Sequence, residues 1–295
     1  MQEHDRLAER FEHLRPHLRT VAYRMLGSHA EAEDAVQDTW IRLSRSDADE
    51  VENLPAWLTT VVSRVCLNVL RSRAARPEDP VGVHLPDPVV GREPSHGPED
   101  EAVLSDSVSL ALLIVLDTLA PAERVAFVLH DMFHLTFDEI AAVVGRTTVA
   151  TRQLASRARR RVQGAHETDS GGDHSTRRVL VDAFLAAARG GDLDGLVAVL
   201  DPDVELRADG GPALVSASAV LHGAGPVAER AALFRQPGVT VTPVLVNGAP
   251  GVLVDRDGVP VSVMGFAVRR DRISQIQILL DPGRLAAIDF GAFKT

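Results

Sequence analysis

The sequence predicts a multidomain fold in which two all-α domains precede an α+β domain. Three observations predict this class. Residues 1–75 place apolar side chains at helical spacing, and residues 101–163 contain short helices joined by a tight turn. Residues 176–284 pass from helical patterns to strand-like runs, which is typical of helices packed on one face of a curved antiparallel sheet.

The composition indicates an ordinary globular protein of two or three domains, with 295 residues, 45% of them apolar and 24% charged. The net charge is −10, so any affinity for DNA must come from a local basic patch. The single cysteine, Cys66, excludes a disulfide framework and fits a reducing cytoplasm. No run approaches the roughly 20 apolar residues of a membrane span, and no spacing matches a metal site or a nucleotide-binding loop. We therefore expect a cytoplasmic protein without membrane contact, metal or cofactor.

Two segments have the composition of linkers. Residues 76–100 carry six prolines and several acids, which excludes a helix or a central strand there. Residues 164–175 are small and polar and are typical of a flexible tether. Residues 285–295 are expected to form a short C-terminal tail.

Residues 1–75 are expected to fold as a helical bundle. The first helix ends at Gly27, and Ser28 with Glu31 forms a capping box that starts the second helix. The third helix begins near Asn53, is apolar nearly all round in its middle, as a central buried helix should be, and ends in a basic cluster. The predicted apolar stripes are Leu7, Phe11, Leu14, Leu18, Val21 and Met25 on the first helix, and Ala32, Val36, Trp40 and Leu43 on the second.

A helix–turn–helix pattern occupies residues 119–163. Its caps are Thr136 with Glu139 and then Gly145 for the first helix, and Thr147 or Thr148 for the second. The predicted buried stripe of the second helix is Ala150, Leu154, Ala158 and Val162. Between Gly145 and Gln163 there are six arginines and no acid, so this helix could lie in the major groove of DNA. The alternative is a helical pair with a solvated basic face.

The third unit is predicted to begin with two helices, at residues 176–189 and 192–200. The strand-like runs that follow are 204–208, 214–220, 239–246, 261–268 and 273–280. This unit contains no tyrosine or tryptophan, and its acids Glu205, Asp209 and Asp281 have no obvious catalytic partner. We therefore do not expect an enzyme.

The first two units resemble the bacterial extracytoplasmic-function sigma factors. The resemblance rests on the runs AEDAVQDTWIRL and AWLTTVVSRVCLNVLRSR, followed at the expected separation by the helix–turn–helix. It implies that residues 1–75 are the promoter-melting region-2 domain and that residues 101–163 are the region-4 domain, which reads the upstream promoter element. It implies two partners: promoter DNA, and core RNA polymerase through its β′ coiled coil and β flap.

The third unit opens with AARGGDLDGLVAVLDPDVEL, which resembles SnoaL-like domains of the NTF2-like fold. A sigma factor with such a domain is similar to the SigJ-like subgroup. The run RQLASRARRRV of this chain also resembles the recognition helix of that subgroup. Three motifs of that subgroup have counterparts at 84–88, 209–213 and 281–285. The first has His84 in place of a tryptophan, and the second lacks the lysine of the subgroup.

The second helix carries a candidate polymerase contact. Asp34, Gln37 and Asp38 are predicted to lie opposite or beside the apolar stripe, with Ile41 exposed among them. From these residues alone the alternative is a solvated helix face, although an exposed isoleucine suggests a partner surface. The resemblance implies that they bind the β′ coiled coil.

The downstream promoter element is assigned to the loop 46–54 and to the helix that follows it. The resemblance implies that this loop captures a flipped base, for which Asn53 is the best hydrogen-bonding candidate. The alternative is that Asn53 simply caps the helix. Three arginines at the basic end of the helix, Arg64, Arg71 and Arg73, are expected to contact phosphates.

The upstream promoter element is assigned to the second helix of the helix–turn–helix. Arg152, Gln153 and Ser156 are placed to reach base edges, since arginine can read guanine and glutamine can read adenine. The rest of the predicted surface, expected mainly at phosphates, is Arg146, Thr147, Thr148, Arg159 and Arg160. Arg157 and Arg161 lie nearer the packed side.

The first linker contains apolar residues, Leu85 and Pro86, that are expected to be buried. The resemblance implies that they contact the C-terminal domain near two of the shared motifs. The residues assigned to this regulatory contact are Leu85, Pro86, Asp87, Pro88, Asp209, Gly210, Gly211, Asp281 and Pro282.

Together these features predict an alternative sigma factor whose C-terminal domain regulates it in cis and replaces a separate anti-sigma protein. The rival hypothesis is a DNA-binding repressor fused to a SnoaL-type ligand sensor or enzyme. The first unit discriminates between them, because a repressor has no need of the region-2 pattern.

Overall fold

The computed structural model describes residues 2–46, 52–75, 83–93, 108–166, 173–232, 238–288 and 290. The chain divides into two compact units. The first comprises residues 1–78 and 115–163, and the second comprises residues 79–114 and 164–295. Most of the proline-rich segment therefore belongs with the C-terminal unit.

Three helices form the N-terminal half of the first unit: α1 (Gln2–Leu26), α2 (His29–Leu43) and α3 (Leu54–Ala75). Most of the predicted stripes of α1 and α2 is buried, with Leu18, Met25 and Leu43 fully so, whereas Leu7, Leu14 and Trp40 are only half-buried. The capping box predicted at Ser28 and Glu31 is wrong. The Ser28 side chain makes no cap hydrogen bond, and the Glu31 carboxylate, the other half of the box, is held in an ion pair with Arg73 of α3.

Helix α3 is the central buried helix that its sequence predicts. Buried side chains run along it from Leu54 to Leu70, and the buried Ser63 hydroxyl donates to the Thr59 carbonyl at 2.6 Å. Cys66 is fully buried, and this burial raises the pKa of its thiol to about 12. The thiol therefore stays protonated at neutral pH and is a poor nucleophile.

Four helices follow the proline-rich segment: α4 (Leu110–Asp117), α5 (Pro121–Phe127), α6 (Phe137–Val144) and α7 (Thr148–His166). A single π-helical turn, Val128–Met132, follows α5. The predicted capping box at Thr136 and Glu139 is confirmed, and Gly145 ends α6 with φ 68°. Thr147 caps α7, since its hydroxyl accepts a hydrogen bond from the Ala150 N–H at 3.2 Å.

The buried stripe of α7 differs from the prediction at two positions. Thr151, Ala155, Ala158 and Val162 are buried, whereas Ala150 and Leu154 are only half-buried. The prediction looked only for apolar residue types. Thr151 can be buried because its hydroxyl donates to the Thr147 carbonyl at 3.0 Å. The observed 4-3-4 spacing also follows the helical period more closely than a strict four-residue step.

The C-terminal unit is built on one seven-stranded sheet in the order β1-β4-β5-β6-β7-β2-β3. Neighbouring strands are antiparallel except β2 and β7, which are parallel. The strands are β1 (Val90–Gly91), β2 (Leu200–Asp209), β3 (Ala219–His222), β4 (Val239–Val246), β5 (Ala249–Arg256), β6 (Val259–Arg269) and β7 (Arg272–Leu279). Strand β1 comes from the proline-rich linker.

Helices α8 (His174–Gly190), α9 (Leu193–Val199) and α10 (Ala224–Ala232) pack on one face of this sheet, and a short helix, α11 (Pro282–Ala287), follows β7. The core lies between the three helices and the sheet, where Phe184 of α8 meets Phe266 of β6 with ring centroids 5.6 Å apart. The α+β class is therefore confirmed. Helix α11 contains the buried Leu285 and extends past residue 284, where the sequence placed the end of the domain.

Two strand predictions are corrected by the structure. Residues 214–220 form a 3₁₀ turn (Val215–Ala217) and the start of β3 rather than one strand. Strand β5 was not predicted, although Asn247-Gly248 and Asp257-Gly258 flank it with positive φ at all four residues. Such Asn-Gly and Asp-Gly pairs are the strongest short-range hairpin signal, and they mark both ends of β5.

In the described ranges no helix combines the length and the apolar character needed to cross a membrane.

Candidate functional site

The helix–turn–helix is fixed by hydrogen bonds at its turn. The Thr136 N–H donates to Glu139 Oε2 at 2.8 Å, and these hydrogen bonds from Thr136 lower the pKa of Glu139. The Thr148 hydroxyl donates to Asp138 Oδ1 at 2.6 Å and joins the start of α7 to α6. The angle between α6 and α7 is therefore set by these side-chain hydrogen bonds and by the left-handed conformation of Gly145.

One face of α7 is free to meet a ligand. Exposed residues on this face and in the preceding turn are Arg146, Thr147, Val149, Arg152, Gln153, Ser156 and Arg160, with Thr148 and Arg159 half-buried. The Arg152 guanidinium lies 5.6 Å from the centroid of the Phe137 ring, a cation–π contact that limits its orientations. A positively charged helix with polar side chains along its open face has the surface that DNA binding requires.

Three arginines of α7 are used within the fold. Arg157 and Arg161 reach the buried carboxylate of Glu123 at 2.7 and 3.3 Å, as their predicted place near the packed side suggested. Arg159 donates to Asp131 at 2.6 Å. Any contact of Arg159 with a phosphate therefore competes with an existing ion pair.

Sequence reasoning missed Val149, which is 65% exposed at the start of α7. It is a large apolar side chain among the residues predicted to face DNA. Apolar side chains in the major groove recognise the methyl group of thymine. The signal was available in the sequence. Arg152 and Gln153, which were assigned to base edges, lie three and four residues after Val149 and therefore on the same helix face.

The acidic face of α2 is divided into paired and open residues. Glu33 is engaged by Arg15 and Arg19, while Glu31 is engaged by Arg73. The predicted contact residues Asp34, Gln37, Asp38 and Ile41 are all exposed, Ile41 by 37%. Within the described ranges, Asp34 and Asp38 form no ion pair with the rest of the chain, so their charges are available to an outside partner.

The residues assigned to the downstream promoter element have contacts within the first unit. Asn53 caps α3, since its Oδ1 accepts a hydrogen bond from the Ala56 N–H at 3.2 Å. Arg64 donates to the carbonyl of Ala142 at 3.0 Å, and Arg71 donates to that of Val144 at 3.4 Å. Residues 47–51 of the predicted base-capturing loop lie outside the described residues.

Arg73 also has partners within the unit. Its guanidinium donates hydrogen bonds to Glu31 Oε1 and to the carbonyl of Leu26, both at 3.2 Å. Carbonyls at the C-terminal end of a helix carry a partial negative charge and attract cations. Helix α6 thus offers Arg64 and Arg71 a weak substitute for the phosphates predicted as their partners. Aromatic contacts join the same two halves, with Arg24 and His17 of α1 lying 5.0 and 5.6 Å from the Phe133 ring centroid.

The linker residues predicted to be buried are buried. Leu85, Pro86, Asp87 and Pro88 all lie inside the C-terminal unit, and Leu85 is 1% exposed. The Leu85 N–H donates to Asp209 Oδ2 at 2.8 Å. The contact between the linker and the Asp209 loop, which the resemblance implied, is therefore present.

Arg284 is the centre of this contact, and sequence reasoning did not assign it. Its guanidinium donates to Asp87 at 2.6 Å, to Asp209 at 2.7 Å and to the carbonyl of Leu85 at 2.5 Å. We call Leu85, Asp87, Asp209 and Arg284 the linker clasp. The sequence signal was the shared motif at 281–285, in which Arg284 closely follows the assigned residues Asp281 and Pro282.

Two glycines keep the clasp compact. Gly211 has φ 59°, and a Cβ there would overlap the Asp281 carboxylate. A Cβ on Gly210 would overlap the carbonyl of Leu214. Asp281 is held in place because its Oδ1 accepts hydrogen bonds from the N–H groups of Gly283 and Arg284, at 2.8 and 3.0 Å. A larger residue at 211 would therefore push the loop away from Asp281 at the start of α11, and one at 210 would distort the loop itself.

Asn247 holds the second half of the linker. Its Oδ1 accepts from the Val89 N–H at 3.0 Å, and its Nδ2 donates to the Val108 carbonyl at 3.0 Å. The adjoining β1 adds to the edge of β4, where Val90 faces Val246. Glu93 then pairs with the largely buried Arg178 of α8. The linker is thus fixed along residues 85–93, which its proline content alone did not predict.

No cluster of potential metal ligands occurs among the residues that the structure describes.

Comparison with known proteins matches these parts to sigma factors. Residues 10–76 match the model of sigma-70 region 2, and residues 109–162 match that of sigma-70 region 4. A probable ECF RNA polymerase sigma factor SigI of Mycobacterium tuberculosis is 36% identical over 290 residues, which is 97% of each chain. The ECF RNA polymerase sigma factor SigJ of the same species is 44% identical over 199 residues, 68% of this chain and 64% of that protein. The crystal structure of SigJ superposes with a TM-score of 0.72 at 33% identity, covering 96% of this chain and 99% of that one.

Proposed function

Because the chain belongs to the extracytoplasmic-function sigma factors, which direct transcription initiation, we propose that regions 2 and 4 are held in a closed state that its C-terminal domain controls in cis. The repressor hypothesis is not favoured, because region 2 is matched over residues 10–76. In this proposal the chain binds core RNA polymerase and promoter DNA and catalyses no reaction of its own.

One observation carries the proposal. Arg64 and Arg71, which the family resemblance assigns to promoter phosphates, donate to the carbonyls of Ala142 and Val144 instead. These carbonyls lie at the end of α6, directly before the turn of the helix–turn–helix. Contacts of these arginines with region 4 compete with contacts to promoter phosphates, and in this proposal the closed arrangement is the inactive one.

The linker clasp supports control by the C-terminal domain. The chain between the two sigma domains passes through residues 85–93, and these residues are bound by Asp209, Asn247, Arg178 and Arg284. Regions 2 and 4 must separate to reach two promoter elements. While residues 85–93 are bound by the C-terminal domain, only the residues before and after them can extend. This limits the distance between regions 2 and 4 and favours the closed state. No separate anti-sigma factor is needed in this scheme.

The closed state can be tested by linking regions 2 and 4. We expect that Arg64→Cys with Ala142→Cys, joined by a short cleavable bismaleimide, will abolish promoter-dependent transcription with purified core polymerase. Cleavage of the bismaleimide cross-link should restore transcription. Both positions are exposed, and the native Cys66 will not react because burial raises its thiol pKa to about 12. The matched control is Arg64→Cys alone with the same reagent. Full activity in the linked protein would overturn the proposal.

Control by the C-terminal domain makes a separate prediction. Truncation after Gln163 should raise transcription from a purified system, and Leu85→Asp should reproduce part of the increase, because an unpaired carboxylate cannot be buried beside Asp209. Val89→Asp is the control, since Val89 is 45% exposed in the same linker. Unaltered transcription by the truncated protein, with a linker freely cleaved by protease in the full-length protein, would rule out the clasp as a regulator.

The recognition helix should divide into specifying and anchoring arginines. Arg152→Ala is expected to relax base preference at one position of the upstream element, at a cost of about 1–3 kcal/mol for a bidentate contact. Arg160→Ala should weaken binding to all sequences and lower the salt slope by about 1. Binding measured over a promoter library at two salt concentrations separates the two effects. Identical behaviour of the two variants would contradict this assignment.

A further inference from the structure

The C-terminal unit contains a cavity of about 490 Å³ that the sigma-factor function does not use. It lies between α8, α10 and the inner face of the sheet, with Phe184, Leu206 and Met264 among its walls. Ligand pockets in proteins have volumes of about 300–1,000 Å³ and are mostly apolar. The volume corresponds to about 16 non-hydrogen atoms if each takes roughly the 30 Å³ that a water molecule occupies in the liquid.

The lining is chemically simple. Of the fourteen residues that form it in the described part of the chain, twelve are apolar and two, Arg189 and Arg230, are cationic. Neither a carboxylate, a histidine, a tyrosine nor a cysteine is among those lining residues. General acid–base catalysis needs such a group within hydrogen-bond reach of the substrate. The described lining residues therefore favour binding of a molecule over its chemical conversion.

The two arginines lie at the mouth of the cavity. Arg189 is in the last turn of α8, Arg230 is near the end of α10, and both side chains are exposed although both residues line the cavity. Among the described residues, neither guanidinium contacts a carboxylate. Nearby, Arg178 of the same helix does pair, with Glu93 and Asp182. Two cations that have no carboxylate partner among the described residues, next to an apolar space, form an amphipathic site.

We propose that this cavity binds a lipophilic carboxylate, with its apolar body among Phe184, Val254 and Ile278 and its carboxylate at Arg189 and Arg230. Arginine binds carboxylates through paired N–H groups, and such charge-assisted hydrogen bonds are about twice as strong as neutral ones. The apolar body contributes affinity through the surface that it removes from water. A molecule with both parts matches the site, whereas a neutral or cationic amphiphile matches only the apolar part.

The proposal is tested by calorimetric titration of the full-length protein with dodecanoate, which has fourteen non-hydrogen atoms. We expect one dodecanoate per chain, and weaker binding of dodecanol and of dodecyltrimethylammonium. Arg189→Gln with Arg230→Gln should weaken dodecanoate at least tenfold and leave dodecanol unchanged. Arg270→Gln removes one exposed charge of the same domain outside the cavity and should change neither.

A second variant addresses the apolar part. Val241→Phe enlarges a half-buried wall residue and should weaken both dodecanoate and dodecanol, with thermal unfolding used to verify that the domain folds. Both arginines could instead serve only the helix C-termini, where cations stabilise the helix. In that case the double glutamine variant would unfold at a lower temperature and bind dodecanoate normally. That result, or the absence of saturable dodecanoate binding, would overturn the proposal.

Discussion

Arg284→Met is expected to release the linker from the C-terminal domain and to destabilise that domain by about 3–5 kcal/mol, the usual cost of removing one partner of a buried ion pair. The Asp209 side chain is 2% exposed and that of Asp87 is 13% exposed. Without the guanidinium, two carboxylates remain buried beside each other, and the Leu85 carbonyl loses a donor. Hydrogen exchange at Leu85 and Val89 should report the release, and urea unfolding should report the loss of stability.

Two further variants make this prediction specific. Arg270→Met removes an exposed arginine of the same domain and should change stability by less than about 0.5 kcal/mol. Arg284→Met combined with Asp209→Asn should recover part of the loss, because one buried charge then disappears as well. Native exchange protection at Leu85 in the Arg284→Met protein would show that the clasp does not depend on this ion pair.

The helical half of the fold could be predicted because its signals are local. The Thr136–Glu139 capping box and the left-handed Gly145 are read from neighbouring residues, and both are confirmed. The Ser28–Glu31 box has the same local pattern and failed, because Arg73, more than forty residues away, binds the Glu31 carboxylate. Strand β5 was missed for a different reason. Its Asn-Gly and Asp-Gly turns were present in the sequence, but its glycine and its buried valines gave no clear alternation.

Less of the site could be predicted. Exposure of Asp34, Asp38 and Arg152 follows from helical periodicity, and the structure agrees with it. The partners of Arg64, Arg71 and Arg284 do not follow from periodicity, because they lie 73 to 199 residues away in the chain. A sequence pattern shows that an arginine is available on a surface, whereas only the fold shows which carbonyl or carboxylate it reaches. The linker illustrates this clearly, since burial of Leu85 and Pro86 was predicted but Arg284, the residue that binds this segment, was not.

Asp34→Arg with Asp38→Arg is expected to lower the affinity for core RNA polymerase by about a hundredfold or more, because like-charge contacts across an interface cost several kcal/mol. Both carboxylates are exposed on α2, opposite the buried Ala32 and Val36, and neither is used within the described part of the fold. We propose that these two carboxylates meet a basic surface on the polymerase, the β′ coiled coil. Binding is measured by titrating fluorescently labelled protein with core polymerase.

The control must separate a lost contact from a general effect of charge. Asp194→Arg with Glu229→Arg makes the same charge change at exposed positions of the C-terminal unit and should leave polymerase affinity within about twofold. Stability of both double variants should change by no more than about 1 kcal/mol, since surface substitutions usually cost within 0.5 kcal/mol each. A third variant, Ile41→Ser, removes the exposed apolar side chain and should weaken binding less than charge reversal does. If the Asp34/Asp38 variant binds core polymerase as the control does, the acidic face of α2 is a solvated surface and the polymerase contact lies elsewhere on region 2.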